Sequence, residues 1–378
     1  MFIFITMEMF MLKGEFYKVI HSKSIVLLFI IMLVLNCFQI LYVNYQNIYG
    51  DLATGKKKIL KIIEGPISQD NYDWLVDYHN NMLRNVNEGH YNTKNKSKNT
   101  FSGYIFGDEQ LTKSLLDDYE YAINYESLIK KKITILNENI KNTKNNDWKN
   151  ENKKLKNRLE NRRLSYYYDY TLINNFISQD FQYLLLLLFC IILVIKLFIT
   201  EKQSKTDFYF YTINNQLKKV FLSKIVITIL CIITSSLIFL IESYLTYFLL
   251  GMKHGLFQPL YALSNFMYVP YNISILFYII CNYFYHLFGY FTFSWILVFL
   301  YHFIDKEYQG LFIGIFIIFI SIKLFNNNLL SIISFTSLND VIFYEEIFFQ
   351  KLFFSFIISS FIFITYFLYK RRYHVSIN

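Results

Sequence analysis

The chain reads as an all-α integral membrane protein, with six transmembrane helices and a largely helical extracytoplasmic domain. Three observations predict this. Several long windows are almost free of charge, among them residues 25–43, 181–198 and 351–369, whereas residues 92–99 and 141–163 are nearly all polar. The apolar windows match the length that a hydrocarbon core of about 30 Å requires at 1.5 Å rise per residue. The 54% apolar content decides little by itself, because a soluble chain is about half apolar too; its segregation is the signal.

Residues 1–24 are amphipathic, with Lys13, Glu15, Lys18 and Lys23 set between Phe10, Met11, Phe16, Tyr17, Val19 and Ile20. They read either as the flank of an uncleaved signal anchor or as a cytosolic helix lying on the inner leaflet. A cleaved leader is not expected, since no A-x-A-like site follows the apolar run. The spans are placed at 25–43, 181–200, 220–250, 273–303, 311–325 and 352–369. Residues 44–180 form the extracytoplasmic domain. Its first part, 44–107, mixes polar turns with short apolar stretches. From 108 on, Leu111, Leu115, Tyr119, Ala122, Ile129 and Ile133 recur at mostly three- and four-residue steps. A polar break at 142–147 and a second helix from about Trp148, carrying Leu155, Leu159, Leu164, Tyr167 and Tyr168, suggest two antiparallel helices feeding the second span. Residues 201–219 form a cytosolic loop. Residues 326–350 hold no lysine or arginine and are too interrupted for a span, so two short helices dipping into the outer leaflet are expected. Residues 370–378 are a cytosolic tail.

Charge sets the orientation. With the N-terminus inside, the cytosolic flanks hold thirteen lysines and arginines, including Lys13, Lys202, Lys224, Lys306 and Arg371. The short outer segments hold only Lys253, Lys323 and Lys351. That asymmetry places both termini in the cytosol. The net charge of +9 is therefore topology-setting charge, and no nucleic-acid partner is expected. Cys37, Cys190, Cys231 and Cys281 all lie in apolar runs, so the external domain has no disulfide framework.

Catalytic motifs are lacking, so no enzyme activity, cofactor or metal site is expected on this chain. Residues 50–57, ending Gly55-Lys56-Lys57, nearly match a phosphate-binding loop. Lys57 stands where Ser or Thr must hold Mg²⁺, and the stretch faces outside, away from ATP. His79, His90 and His254 read as scattered surface residues. Within the spans, Glu242 and His286 are the main ionisable groups. Such groups are costly in lipid and face a protein interior or polar cavity. Interhelical packing is the plainer reading for both, and substrate contact the sharper one. The loop after the second span begins Glu201-Lys202 and carries Thr206, Phe208 and Phe210. It could lie on the membrane or dock a cytosolic partner, with Glu201 near the positive end of a helix dipole.

The layout resembles the permease subunits of bacterial type-2 ABC exporters. In that family the loop between spans 2 and 3 carries a Glu, then Gly-Thr, an apolar run, a Pro, an Arg and a Lys. Here Glu201, Thr206, the run 208–213 and Lys224 stand at matching spacing, while Lys205, Asn214 and Leu217 replace the Gly, Pro and Arg. Glu15-Phe16-Tyr17-Lys18 resembles the family's interface helix, and residues 326–350 its outer re-entrant helices. The resemblance implies a permease of the bacterial cytoplasmic membrane that pairs with a second permease, alike or different. It implies separate cytosolic ATPase subunits holding ATP and Mg²⁺, coupling through Glu201, Lys202, Thr206, Phe208 and Phe210, and antimicrobial peptides, lipids or drugs as substrates. The other reading is a membrane-anchored sensor or ligand-binding protein that uses its external helices.

Overall fold

The computed structural model describes residues 12–45, 50–88, 100–204, 216–252, 254–324, 360, 364 and 365. They are mostly helical, with almost no strand. Four helices are long and apolar enough to cross a membrane: Lys23–Val43, Thr171–Gln203, Lys219–Leu250 and Ile275–Tyr301. A fifth apolar helix, over Glu307–Ile320, is shorter. The expected sixth span, the outer segment 326–350 and the tail lie outside the described residues, apart from residues 360, 364 and 365.

The chain divides into two compact units. The first comprises Met1–Gln39, Ser178–Thr246 and Ile280–Asn378. Its helices are α1 (residues 12–20), α2 (Lys23–Val43), α8 (residues 180–203), α9 (Gln216–Leu250), α10 (Ile275–Tyr301) and α11 (Glu307–Leu324). Leu186, Phe189, Ile191 and Leu193 of α8 pack with Phe221, Ile232 and Phe239 of α9 and Phe293 and Leu297 of α10. Large apolar side chains also face outward: Leu27, Ile30, Val34 and Phe38 on α2, Leu237, Ile241 and Leu245 on α9, Phe284 and Phe288 on α10. Rows of that size are costly in water and are the surface expected of helices solvated by lipid.

Two details set the lower part of this unit. Helix α8 is α-helical over Asp180–Val194, passes through a π turn at Ile195–Ile199, and resumes over Thr200–Gln203. A π turn inserts one extra residue and re-aims everything after it. Against the same stretch lies the Gly310-x-x-x-Gly314 face of α11. A Cβ at Gly314 would come within 2.8–2.9 Å of three Ile191 side-chain atoms, and one at Gly310 within 2.5 Å of Ile199 Cδ1. Small residues one turn apart let helix backbones approach closely in a membrane.

The second unit comprises Ile40–Ile177 and Tyr247–Ile279. It differs from the expectation for residues 44–107. Two helices form there, α3 (Asp51–Ile63) and α4 (Gln69–Asn87). Both bury a narrow stripe, Ile59 and Ile63 in α3 and Leu75 and Met82 in α4, among many Asn, Asp and Lys residues. Ser68 caps α4 by accepting from the Asn71 amide at 3.2 Å. The following helices are α5 (Ile105–Asn142) and α6 (Asn146–Leu159), so the polar break is shorter than expected. Helix α6 also ends before Leu164, Tyr167 and Tyr168. Asn161 takes φ 68°, and the extended chain beyond it pairs Tyr166–Tyr167 (β2) antiparallel with Gly65–Pro66 (β1). Helix α7 (Thr171–Ile177) follows. The connection after α9 packs into this unit: Tyr121 donates to the Tyr261 carbonyl at 2.7 Å, and Arg162 to that of Val269 at 2.8 Å.

The near-match to a phosphate loop is the N-cap and first two turns of α3, not a loop. Gly55 sits there because a Cβ would meet the Ser102 backbone at 2.8 Å. Lys56 is paired with Asp169 at 2.7 Å and donates to Thr171 Oγ1 at 3.2 Å. Its ammonium serves the fold of this unit.

Candidate functional site: a buried ion knot at the foot of the apolar helices

The first unit gathers four charged side chains from three distant segments. Glu15 and Lys18 come from α1, Glu201 from the last turn of α8 and Lys224 from the third turn of α9. Spacing of three residues brings Glu15 and Lys18 to one face of α1, where Lys18 donates to Glu15 Oε1 at 2.8 Å. Lys18 also donates to Glu201 Oε1, and Lys224 donates to Glu201 Oε2. Glu201 thus bridges two ammonium groups, one on each oxygen.

Burial makes this arrangement consequential. Lys224 is 1% exposed, Glu15 5% and Glu201 8%, whereas the Lys18 side chain keeps 40% of its surface. The Lys224 ammonium also lies 5.5 Å from the centre of the Phe198 ring, within cation–π reach. A lysine so enclosed must be paired or lose its charge. Burial, and after it the Glu201 carboxylate, push the Glu15 carboxyl above the usual carboxylate range. For Lys18, burial opposes the charge, but hydrogen bonds to Glu15 and Glu201 outweigh it and hold the ammonium above its ordinary value.

Lys202 points to a second junction. Its ammonium donates to the carbonyls of His302 at 2.8 Å and Ile304 at 2.6 Å and pairs with Asp305 at 2.7 Å. It thereby closes the C-terminal end of α10, where the helix dipole is negative. Glu201 lies in the short helical stretch Thr200–Gln203 that follows the π turn of α8, and Lys18 and Lys224 pair with it there. Thr206, Phe208 and Phe210 lie outside the described residues.

The intramembrane candidates have partners of their own. Asn36 of α2 donates to Glu242 and, at 2.9 Å, to Ser243 Oγ. Gln179 donates to Asn36 Oδ1 at 2.9 Å, and Ser243 to Gln182 Oε1 at 2.9 Å. Asn36 and Ser243 are fully buried. The chain so links the start of α8 with α2 and α9, the interhelical bonding expected of polar groups in lipid. His286 is buried with its ring centre 3.9 Å from that of Tyr183. Sequence reasoning missed Asn36, Gln179 and Ser243, whose polar side chains inside apolar runs were the available signal. It also missed Gly310 and Gly314, whose four-residue spacing is visible in the chain.

Comparison with known proteins adds no relative: no protein-family profile, no curated protein sequence and no solved structure matches the chain. Among the described residues, no group of three His, Cys, Asp or Glu side chains is arranged to hold a metal ion.

Proposed function

We propose that the chain is the membrane-spanning permease of an ABC exporter, driven by ATPase subunits on separate chains. The observation that carries this reading is the Glu201 knot. Glu201 and Lys224 were both picked out by the resemblance, 23 residues apart, and they meet as an ion pair. The interface-helix residues Glu15 and Lys18 join them there. A partner pressing on residues 205–215 would act between two anchored ends, α8 through Glu201 and Lys202 and α9 through Lys224.

Connectivity supports the membrane part of the proposal. A chain that crosses at each apolar helix alternates sides. The connections before α8 and after α9 then share one side, and they pack together in the second unit. The feet of α8 and α9 and the end of α10 share the other, and they are joined through Lys224–Glu201 and Lys202–Asp305. Positive charge favours the cytosol for that second group.

Replacing Phe208 and Phe210 together by Ala tests the coupling role. Aromatic residues dominate interface hot spots, where truncation costs about 2 kcal/mol or more. The expected result is loss of the ATPase subunit, or of transport, at normal membrane insertion. Full partner binding with full transport would show that the loop is only membrane-associated.

A further inference from the structure

The second unit holds a small polar cavity of roughly 30 Å³, lined among others by Asp118, Tyr121, Tyr167, Tyr170, Asn174 and Ser264. Roughly 10–15 Å³ suffices for one water-sized group, so this space takes one or two and excludes any ring or quaternary amine. Its lining is more polar than apolar. Asp118 is partly desolvated but keeps an edge open to solvent, whereas Tyr167, also in the lining, is 2% exposed. The hydroxyls of Tyr167 and Tyr170 are both buried with no hydrogen-bond partner in the protein. A buried hydroxyl left unpaired costs about 1–3 kcal/mol, so two on one cavity call for a partner inside it.

The chemistry of that partner follows from the lining. Tyr121 already gives its proton to the Tyr261 carbonyl at 2.7 Å, which leaves its oxygen as an acceptor. Asp118 when ionised is acceptor-only. The carboxylates of Asp118, Asp169 and Glu64 act on Tyr167 together, and Lys56 is already bound to Asp169. Arg162, whose charge acts on Tyr121, gives its Nε and Nη1 to the carbonyls of Arg158 and Val269, so the three carboxylates stand against two cations here. The cavity therefore offers oxygen acceptors, aromatic rings and excess negative charge to a group the size of water. An –NH3⁺ group has three donors and one positive charge, and aromatic rings add cation–π attraction.

We infer that this cavity is a binding site for a primary ammonium group, held by the Asp118 carboxylate and the tyrosine hydroxyls of Tyr121, Tyr167 and Tyr170. The opening beside Asp118 lets an alkyl chain extend into solvent, so the group can be free ammonium or the end of a primary amine. The inference does not rest on the exporter reading, and either can fail alone.

The test uses the full chain in nanodiscs of uncharged lipid at constant ionic strength. Amide hydrogen exchange of residues 164–174 and 260–264 is followed while sodium is replaced by ammonium, methylammonium, butylammonium, potassium or tetramethylammonium. A primary amine at about ten times its dissociation constant should slow exchange there by about tenfold if opening requires release. Asp118→Asn should abolish the slowing, and Tyr167→Phe should weaken it, with amine-free exchange in residues 105–142 unchanged. Slowing by ammonium but not butylammonium assigns the free ion; slowing by both assigns the amine end. Three results overturn the inference: no slowing by any amine, equal slowing by potassium or tetramethylammonium, or slowing that survives both substitutions. Each would mean that the cavity holds water alone or does not discriminate.

Discussion

Glu201→Gln is the most informative single change, because it removes the one carboxylate that two lysines share. At a separation of about 3 Å and an effective dielectric of about 20, two unit charges attract by roughly 5 kcal/mol. Desolvation cancels much of that in the intact pair, but deleting one partner leaves a buried charge and costs about 3–5 kcal/mol. Lys224, 1% exposed, cannot turn to water when Glu201 is neutralised. Lys18, with 40% of its side chain exposed, can, so its share should be at most about 1 kcal/mol. The predicted order of destabilisation is Glu201→Gln, then Lys224→Met, then Lys18→Ala. Lys224→Met should cost less because Glu201 keeps Lys18. The decisive variant is the double one. Adding Lys224→Met to Glu201→Gln should restore about 2 kcal/mol, since it removes the stranded ammonium. Trp295 is buried in the core of the first unit and reports its unfolding in mixed micelles once Trp74 and Trp148 are replaced by Phe. A cost for Glu201→Gln below about 0.5 kcal/mol, or a double variant less stable than both single ones, would refute a buried, charged pair.

Other expectations follow from separate parts of the structure. Gly314→Ala should lose about 1–3 kcal/mol by overpacking against Ile191, and Ile191→Ala added to it should recover part of that loss in the same fluorescence assay; simple additivity would reject the contact. Asp108 is fully buried and accepts from the Phe101 and Ser102 amides at 2.6 and 2.7 Å and from the Tyr78 hydroxyl, so Asp108→Ala should cost about 3 kcal/mol and speed exchange at residues 101 and 102. Burial first, and the Asp169 carboxylate next, raise the Asp118 carboxyl to about 6. Its folded value exceeds its unfolded one, so the stability it contributes is full below the unfolded value and is lost as pH rises through about 6. Asp118→Asn should therefore be more stable than the parent above pH 6 relative to pH 4, and a constant difference across that window would contradict the shift. A cysteine at the exposed helix cap Asn145 should react with an impermeant thiol reagent on intact cells, and labelling only after lysis would place the second unit on the cytosolic side.

The long apolar helices were legible because a run of 20 or more uncharged residues has few other fates. The start of α8 at Asp180 falls one residue before the expected start of the second span. Helices α3 and α4 were hidden by composition. Their buried stripes are one residue wide per turn, and Asn, Asp and Lys on the remaining faces read as turns. The strand pair β1–β2 joins residues a hundred positions apart and has no local signature. At the candidate site, Glu201 was singled out by its place in the loop. Its partners Lys18 and Lys224 were separately visible as flanking charges. Their convergence was not, since it depends on how α1, α8 and α9 pack and on the π turn at Ile195–Ile199. The pairing of Asn36 with Glu242 spans 206 residues and was equally out of reach.

The central claim is that this chain works with separate ATPase subunits, and purification from native membrane tests it most directly. The tagged full chain is extracted in mild detergent and its partners are identified by mass spectrometry. The account predicts a nucleotide-binding ATPase in stoichiometric amount, lost from the Phe208→Ala/Phe210→Ala variant at unchanged yield of the chain. A chain recovered intact with no ATPase, and with no ATP hydrolysis in the purified sample, would contradict it.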